Sequence, residues 1–304
     1  SGIIPTFQGR ESLPDLCGNK FTGEENALQK IKILTDSASD ITKEQENELD
    51  IKVMCFPVTV DGVGYRERVD FTNEEFYEML DRSASIPTTA QITTFEFVEA
   101  YKEFYEAGYT DVIHVTISST GSNTYNSALM AKESFFEEYP DAKEKFRITV
   151  IDGLNYTGVY GYPVVQAAIK AQKGTPVDEI IAYLNDWVAS AEVFFAPYTL
   201  EYVKKSGRVS CAAAFVGEVL GLRPIIKIVD GVASTVEKVR GEKNIPAKLI
   251  ECAVSEMVPQ TPYIIIKGSM EEQSAELAAM MTKRLGYPPE AVWQIGAAIA
   301  CNAG

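Results

Sequence analysis

The sequence predicts a two-domain α/β protein, a parallel doubly wound sheet domain followed by a mixed-sheet α+β domain. Three observations carry this reading. Short apolar runs alternate with amphipathic helical stretches through the first half, the pattern of β-α units. In the second half Asp230-Gly231 separates two strand-like runs, the strongest hairpin signal in the chain. The length of 304 residues suits two domains, or one large one.

The first residues carry Gly2, Pro5, Gly9, Pro14, Gly18 and Gly23 without sustained periodicity, so 1–27 reads as an irregular N-terminal arm. The parallel domain is expected over 28–158 and the α+β domain over 159–304. The first strand is 31–35, followed by a polar turn at 36–40 and a capping box at Thr42 and Gln45. A second strand, 53–60, ends in Asp61-Gly62, and Thr72 with Glu75 caps a helix through Leu80. Thr93 with Glu96 caps the next helix, whose Phe97, Val98, Tyr101, Phe104 and Tyr105 form one apolar face before Gly108. A strand at 111–117, a helix to about 139 and a strand at 147–151 complete the parallel half.

Beyond it, Thr175-Pro176 opens a helix at N-cap and N1, and 193–196 is a strand. Short helices at 200–205 and 212–220 precede the hairpin 225–229 and 232–239. Helices at 247–257 and, behind a box at Ser269 and Glu272, at 271–285 alternate with strands at 263–267 and 292–300.

Charge narrows the function. Forty-three acidic against 28 basic residues give a net charge of -15, which repels nucleic acid and anionic membrane surfaces. No apolar run approaches the ~20 residues of a membrane span, so an integral membrane protein is not expected. His114 is the only imidazole, which removes most hydrolytic triads and zinc sites. Cys17, Cys55, Cys211, Cys252 and Cys301 never pair as C-x-x-C, so neither a disulfide framework nor a metal site is indicated, and a reducing cytoplasm fits. No cofactor is called for.

The chemistry-bearing stretch is Ser118-Ser119-Thr120-Gly121-Ser122-Asn123-Thr124, between a strand's carboxyl end and a helix's amino end. Ligands bind there in open parallel sheets, and the helix N-terminus favours an anion such as a carboxylate or phosphate. A capped flexible loop is the plainer use of such residues. The polar run 87–93 precedes a helix in the same half, where capping accounts for most of it. Asp36 and Ser37 lie just past the first strand and either face a ligand or brace the turn. His114 sits mid-strand with Val112 and Thr116 and reads as a core histidine rather than a base. Residues 204–248 hold nine basic side chains against four acidic ones, a local excess able to steer an anion or an acidic partner, or simply a solvated face.

Five motifs, in order, resemble those of the DegV family, the fatty-acid-binding proteins that include the FakB subunits of bacterial fatty acid kinase. Residues 32–40, KILTDSASD, resemble the family opening. Thr88-Thr89-Ala90-Gln91 resembles T-S-Q-P, with Ala90 and Ile92 replacing its Ser and Pro. Residues 117–128 resemble I-S-S-K-L-S-G-T-Y-Q-S-A, with Thr120-Gly121 in place of Lys-Leu. Residues 204–210 resemble K-K-G-G-R-I-S, and 238–241 resemble K-V-R-G. The similarity spans about 31–304. At the end, residues 299–304 align with I-G-T-H-T-G, where Asn302 replaces the family histidine, keeping a hydrogen-bond donor but no protonatable ring.

The resemblance implies a DegV-like fold with a long-chain fatty acid between the two domains, its tail in an apolar tunnel. By motif position its carboxylate would meet Thr89 and Ser119, with Thr88, Ser118, Ser122 and Asn302 as further headgroup contacts. Arg208 and Arg240 would form the rim or partner surface. A FakA-like kinase would phosphorylate the bound carboxylate to an acyl phosphate, making this chain a cytoplasmic carrier rather than an enzyme, with at most transient membrane contact. The alternative from another class is a small-molecule hydrolase or transferase using Ser119 or Ser122 as nucleophile, which lacks an obvious base.

Overall fold

A computed structural model describes residues 3–7, 29–208 and 221–304. The helix expected at 212–220, most of the 1–27 arm, and Cys17 and Cys211 lie outside the described residues. The arm nevertheless contains β1, Ile3–Phe7, so it is not irregular throughout; five residues interrupted by Pro5 are too few to display an alternation.

The parallel half follows from its caps. After β2 (Ile31–Asp36) comes α1 (Lys43–Glu48), on which Thr42 and Gln45 close the expected capping box. The apolar run 53–60 is not one strand. It breaks into β3 (Lys52–Met54) and β4 (Pro57–Val60), which belong to different sheets, Pro57 having no N–H with which to continue a ladder. Asp61-Gly62 then turns β4 into β5 (Val63–Arg66). The Thr72 and Thr93 boxes form as expected, starting α2 (Asn73–Arg82) and, past the short β6 (Thr88–Thr89), α3 (Thr94–Glu106). β7 (Asp111–Thr116), α4 (Thr124–Glu138) and β8 (Arg147–Asp152) complete the unit.

Next come α5 (Gly158–Gln172) and α6 (Val177–Ser190). The first has no counterpart in the sequence reading: Val159, Tyr160, Val164, Val165, Ala167 and Ala168 are all buried, and Pro163 lies inside it, so no polar stripe marks it as amphipathic. The second unit holds β9 (Ala191–Phe195), α7 (Glu201–Ser206), the hairpin β10 (Leu222–Val229) and β11 (Val232–Arg240), α8 (Ile245–Glu256), β12 (Ile264–Lys267), α9 (Glu271–Leu285), β13 (Ala291–Gln294) and α10 (Ala297–Ala303). The box at Ser269 does not form, since Met270 is the N-cap of α9 and makes no side-chain cap bond. The strand expected to run to residue 300 stops at Gln294, and alanine-rich 297–303 is helical instead, as alanine's propensity favours.

β3-β2-β7-β8 form an all-parallel sheet whose order reverses at β2, and β5-β4-β6 a small antiparallel one. The order β11-β10-β9-β1-β12-β13 gives a six-stranded sheet, antiparallel except for β12–β13. β1 and β13, the first and last described strands, thus share one sheet. α5 packs on β2 and α6 on α5, and Trp187 Nε1 donates to the Val159 carbonyl at 2.9 Å. No helix among the described residues is long and apolar enough to cross a membrane.

Candidate functional site

In a parallel sheet of this order, ligands gather at the carboxyl ends of the strands flanking the reversal, here β2 and β7. At the carboxyl end of β2, Asp36 is buried and braces the turn rather than facing a ligand. Its carboxylate accepts from Ala38 N at 3.2 Å, Ile117 N at 2.8 Å and Tyr160 Oη at 2.6 Å. Burial pushes its pKa up to about 7, against the pull of those donors.

Beyond β7 the hydroxyl-rich stretch divides. Gly121 N and Ser122 N both donate to the Ser118 carbonyl, at 3.0 and 3.1 Å, making a tight turn. On one side of it, Ser118 Oγ and Thr120 Oγ1 meet at 2.8 Å, and Thr120 Oγ1 donates to the Gly231 carbonyl at 2.7 Å. That ties the β7 loop to the tip of the β10–β11 hairpin. On the other side, Gly121, Ser122 and Asn123 line a cavity of about 320 Å³, inside the roughly 300–1,000 Å³ range of small-molecule sites.

Most of this cavity is apolar: Phe56, Ile117, Val193, Phe195, Val203, Ile228, Ile295 and Ile299 contribute to its wall. Thr89, Gln91, Ser122, Asn123, Thr157 and Asn302 supply neutral polar groups, and Arg208 is the one cationic side chain among the described lining residues. The 121–123 segment leads into α4, so the positive end of a 15-residue helix opens beside it. An elongated ligand with an anionic head matches this chemistry.

The structure sorts the expected site residues. Thr89, Ser122, Asn302 and Arg208 line the cavity. Asn302 Nδ2 donates to the Ala298 carbonyl at 3.0 Å, and Ser122 Oγ lies 2.8 Å from Thr124 Oγ1. Ser119 does not line it: the residue is exposed, and its N–H donates to Asp152 Oδ1 at 3.1 Å. Thr88 is exposed and also off the wall, while Ser118 is buried with its hydroxyl on Thr120. Arg240 is exposed on the edge strand β11, away from the cavity. As for the nucleophile alternative, Ser122 meets a hydroxyl, not a base, and Asp36 is already held by Tyr160.

Gln91 and Asn123, which belong to the two polar stretches without an assigned headgroup role, also line the cavity, as do Tyr156 and Thr157, which the sequence reading does not reach. Tyr156 and Thr157 follow the carboxyl end of β8, the same topological signal that marks 118–124. Thr157 has φ 54°, a costly conformation for a β-branched residue, of the kind that concentrates at ligand sites. His114 is a core residue, as expected. It is fully buried, with Nδ1 2.7 Å from Tyr101 Oη and its ring 4.7 Å from that of Phe97. Burial lowers its pKa to about 3, keeping it neutral.

Residues 30–304 match a family profile described as an uncharacterised protein of the DegV family. A DegV domain-containing protein of Clostridium perfringens is 29% identical over 276 residues, covering 90% of this chain and 95% of that one. Among solved structures, a stearic-acid-binding protein from Eubacterium ventriosum superimposes with TM-score 0.79 at 26% identity, over 90% of this chain and 94% of its own. A Thermus thermophilus DegV family protein, described for its fatty acid binding, gives 0.76 at 27% identity over 91% and 96%.

Proposed function

The chain belongs to the DegV family, and from that premise we propose that it carries a long-chain fatty acid in the cavity between its two larger sheets. One observation supports this most: a largely apolar cavity whose polar lining gathers neutral donors, one arginine and a helix N-terminus. Its structural relatives from Eubacterium ventriosum and Thermus thermophilus are described as binding fatty acids. The carboxylate is held by Thr89 and Ser122, with Asn302 and Arg208 beside them. Ser122 takes the part that motif position gave to Ser119, because it is the serine on the wall. Each buried CH₂ contributes ~0.8 kcal/mol, so a tail of roughly 14–18 carbons is retained tightly.

In this reading the protein is a carrier that presents the carboxylate to a kinase of the FakA type for acyl phosphate formation. Neutral donors suit that role, since they hold the anion without quenching its nucleophilic oxygen. Denaturing the purified protein and analysing the organic extract by mass spectrometry tests the binding: a fatty acid near one equivalent is expected, and a hydrophilic metabolite at that occupancy overturns it. Incubation of the loaded protein with such a kinase and ATP tests the second step.

A further inference from the structure

Three carboxyl groups, on Asp36, Asp40 and Glu67, lie buried behind the cavity, and two of them reach across to α10. Asp40 Oδ1 accepts from Gly296 N at 2.8 Å, and Glu67 Oε1 from Ala298 N at 2.9 Å. Residues 40 and 67 are 7% and 1% exposed. Glu67 also accepts from Ser37 Oγ, and Tyr77 Oη donates to the Ile295 carbonyl at 3.1 Å. A methyl group on Gly296 would meet Glu67 Oε1 at 2.6 Å and Asp40 Oδ1 at 3.1 Å. Only glycine lets both carboxyls close on the same helix start. That helix is itself cavity wall, through Ala298, Ile299 and Asn302.

We propose that Asp40 and Glu67 are positioning residues that hold α10 as the wall of the acyl cavity, and that this hold weakens when both carboxyls are ionised. The inference rests on the fatty-acid reading only for what the cavity contains. Charge counting motivates it. Asp40 from the β2 turn, Glu67 from the segment after β5 and Glu46 from α1 face the Arg68 guanidinium, which pairs with Glu46 at 2.6 Å; Lys43 pairs with the same Glu46 at 3.1 Å, and Asp36 faces Glu67. Other titratable neighbours are Tyr160 on α5, Tyr77 on α2, Cys301 on α10 and Cys55 between β3 and β4, all kept neutral by burial, the Cys301 thiol being pushed up to about 12. Arg68 and Lys43 are two cations against four carboxyls, and both pair with Glu46, so full ionisation leaves adjacent buried negative charges.

The sign follows from where the protons reside. Burial first, and then the charge of Glu67, holds the Asp40 carboxyl well above the ordinary carboxylate range, and burial raises Glu67 as well, in both cases outweighing the pull of the N–H donors at the start of α10. With α10 opened to water both groups return to a pKa of about 4. The closed state therefore binds more protons from about pH 4 up to the raised values, and closure is lost as pH rises through that window.

Hydrogen exchange of the 296–303 amides, corrected for intrinsic rates, reads the opening directly. Between about pH 5.5 and about pH 8 the opening equilibrium should rise about tenfold or more in the parent. In Asp40→Asn and in Glu67→Gln the rise should be clearly smaller, since only one of the two carboxyls still titrates. In parallel, a long-chain alcohol, which has no ionisable head, should displace a fluorescent fatty acid probe less well at the higher pH, and most so in the parent. Protection of 296–303 that does not change with pH, or a slope unaltered in both variants, overturns the inference. Should Glu67→Gln fail to fold, the parent profile and Asp40→Asn decide. A titrating α10 in a protein that binds no acyl chain would sink the fatty-acid reading alone; acyl binding beside a non-titrating α10 would sink only this one.

Discussion

Ser118 and Thr120 come from the same hydroxyl-rich stretch as Gly121, Ser122 and Asn123, yet the two groups have opposite uses. The first pair fastens the β7 loop to the Gly231 carbonyl of the other sheet's hairpin. The second group forms cavity wall at the head of α4. Between them lies only the turn closed on the Ser118 carbonyl. Composition thus supplies the donors, and one reversal of the chain decides which fasten the fold and which face the cavity.

The largest expected effect comes from breaking the fastening. Gly231 has φ +75°, and a side chain there would strike Ser118 Oγ and come within 2.6 Å of Thr120 Oγ1. Gly231→Val should cost about 2–3 kcal/mol in denaturant unfolding, from backbone strain plus overpacking. Fatty acid retention should fall as well, because Ile228 and Ala233 beside the tip line the cavity. Parent-like stability and retention would show that the hairpin does not close on this loop.

Ser122 and Ser119 sharpen the comparison. Ser122→Ala should weaken fatty acid binding by about 1.5–3 kcal/mol, the range for a hydrogen bond to a charged group. Ser119→Ala should change it by less than about 0.5 kcal/mol, as for an exposed substitution. Titration with a fluorescent fatty acid separates them; the reverse order would return the headgroup to the residue that motif position favours.

That pair also shows how far the sequence could be read. Capping boxes at Thr42, Thr72 and Thr93 and the Asp230-Gly231 hairpin are local chemistry, and all appear in the structure. The region of the site was legible too, since strand-to-helix loops in a parallel sheet collect ligands. What escaped is non-local. No pattern within 118–124 says that Thr120 will find Gly231, 111 residues away. β1 is recognisable only through its pairing with β9 and β12. α10 read as strand because the carboxylates that hold its first turn come from residues 40 and 67.

A smaller effect isolates the fastening without strain. Thr120→Val keeps the shape of the side chain but removes the donor to Gly231 and the contact with Ser118. About 1 kcal/mol of stability should be lost, the net worth of a typical hydrogen bond. Headgroup affinity should stay that of the parent, and a loss of affinity comparable with Ser122→Ala would merge the two halves of the loop into one site.

The smallest effects concern the two arginines assigned together to the rim. Arg208 lines the cavity and its Nη1 donates to the Ser206 carbonyl at 2.6 Å, whereas Arg240 stands exposed on the outer strand β11, paired with Leu222 across the hairpin, its carbonyl accepting from Asn244 Nδ2 at 2.8 Å. Neither side chain is buried, so alanine at either position should leave the melting temperature nearly unchanged. Arg208→Ala should slow association of a fatty acid anion a few-fold at low ionic strength, and the difference should fade as added salt shortens the screening length to about 8 Å at 0.15 M. Arg240→Ala should leave that rate alone and lower only acyl phosphate formation with a kinase, whose acidic face it would meet. Stopped-flow measurements across a salt series decide the first arm and phosphate transfer the second. If Arg240→Ala slows fatty acid association as much as Arg208→Ala, charge acts on the ligand through the whole basic stretch and the cavity residue has no special place.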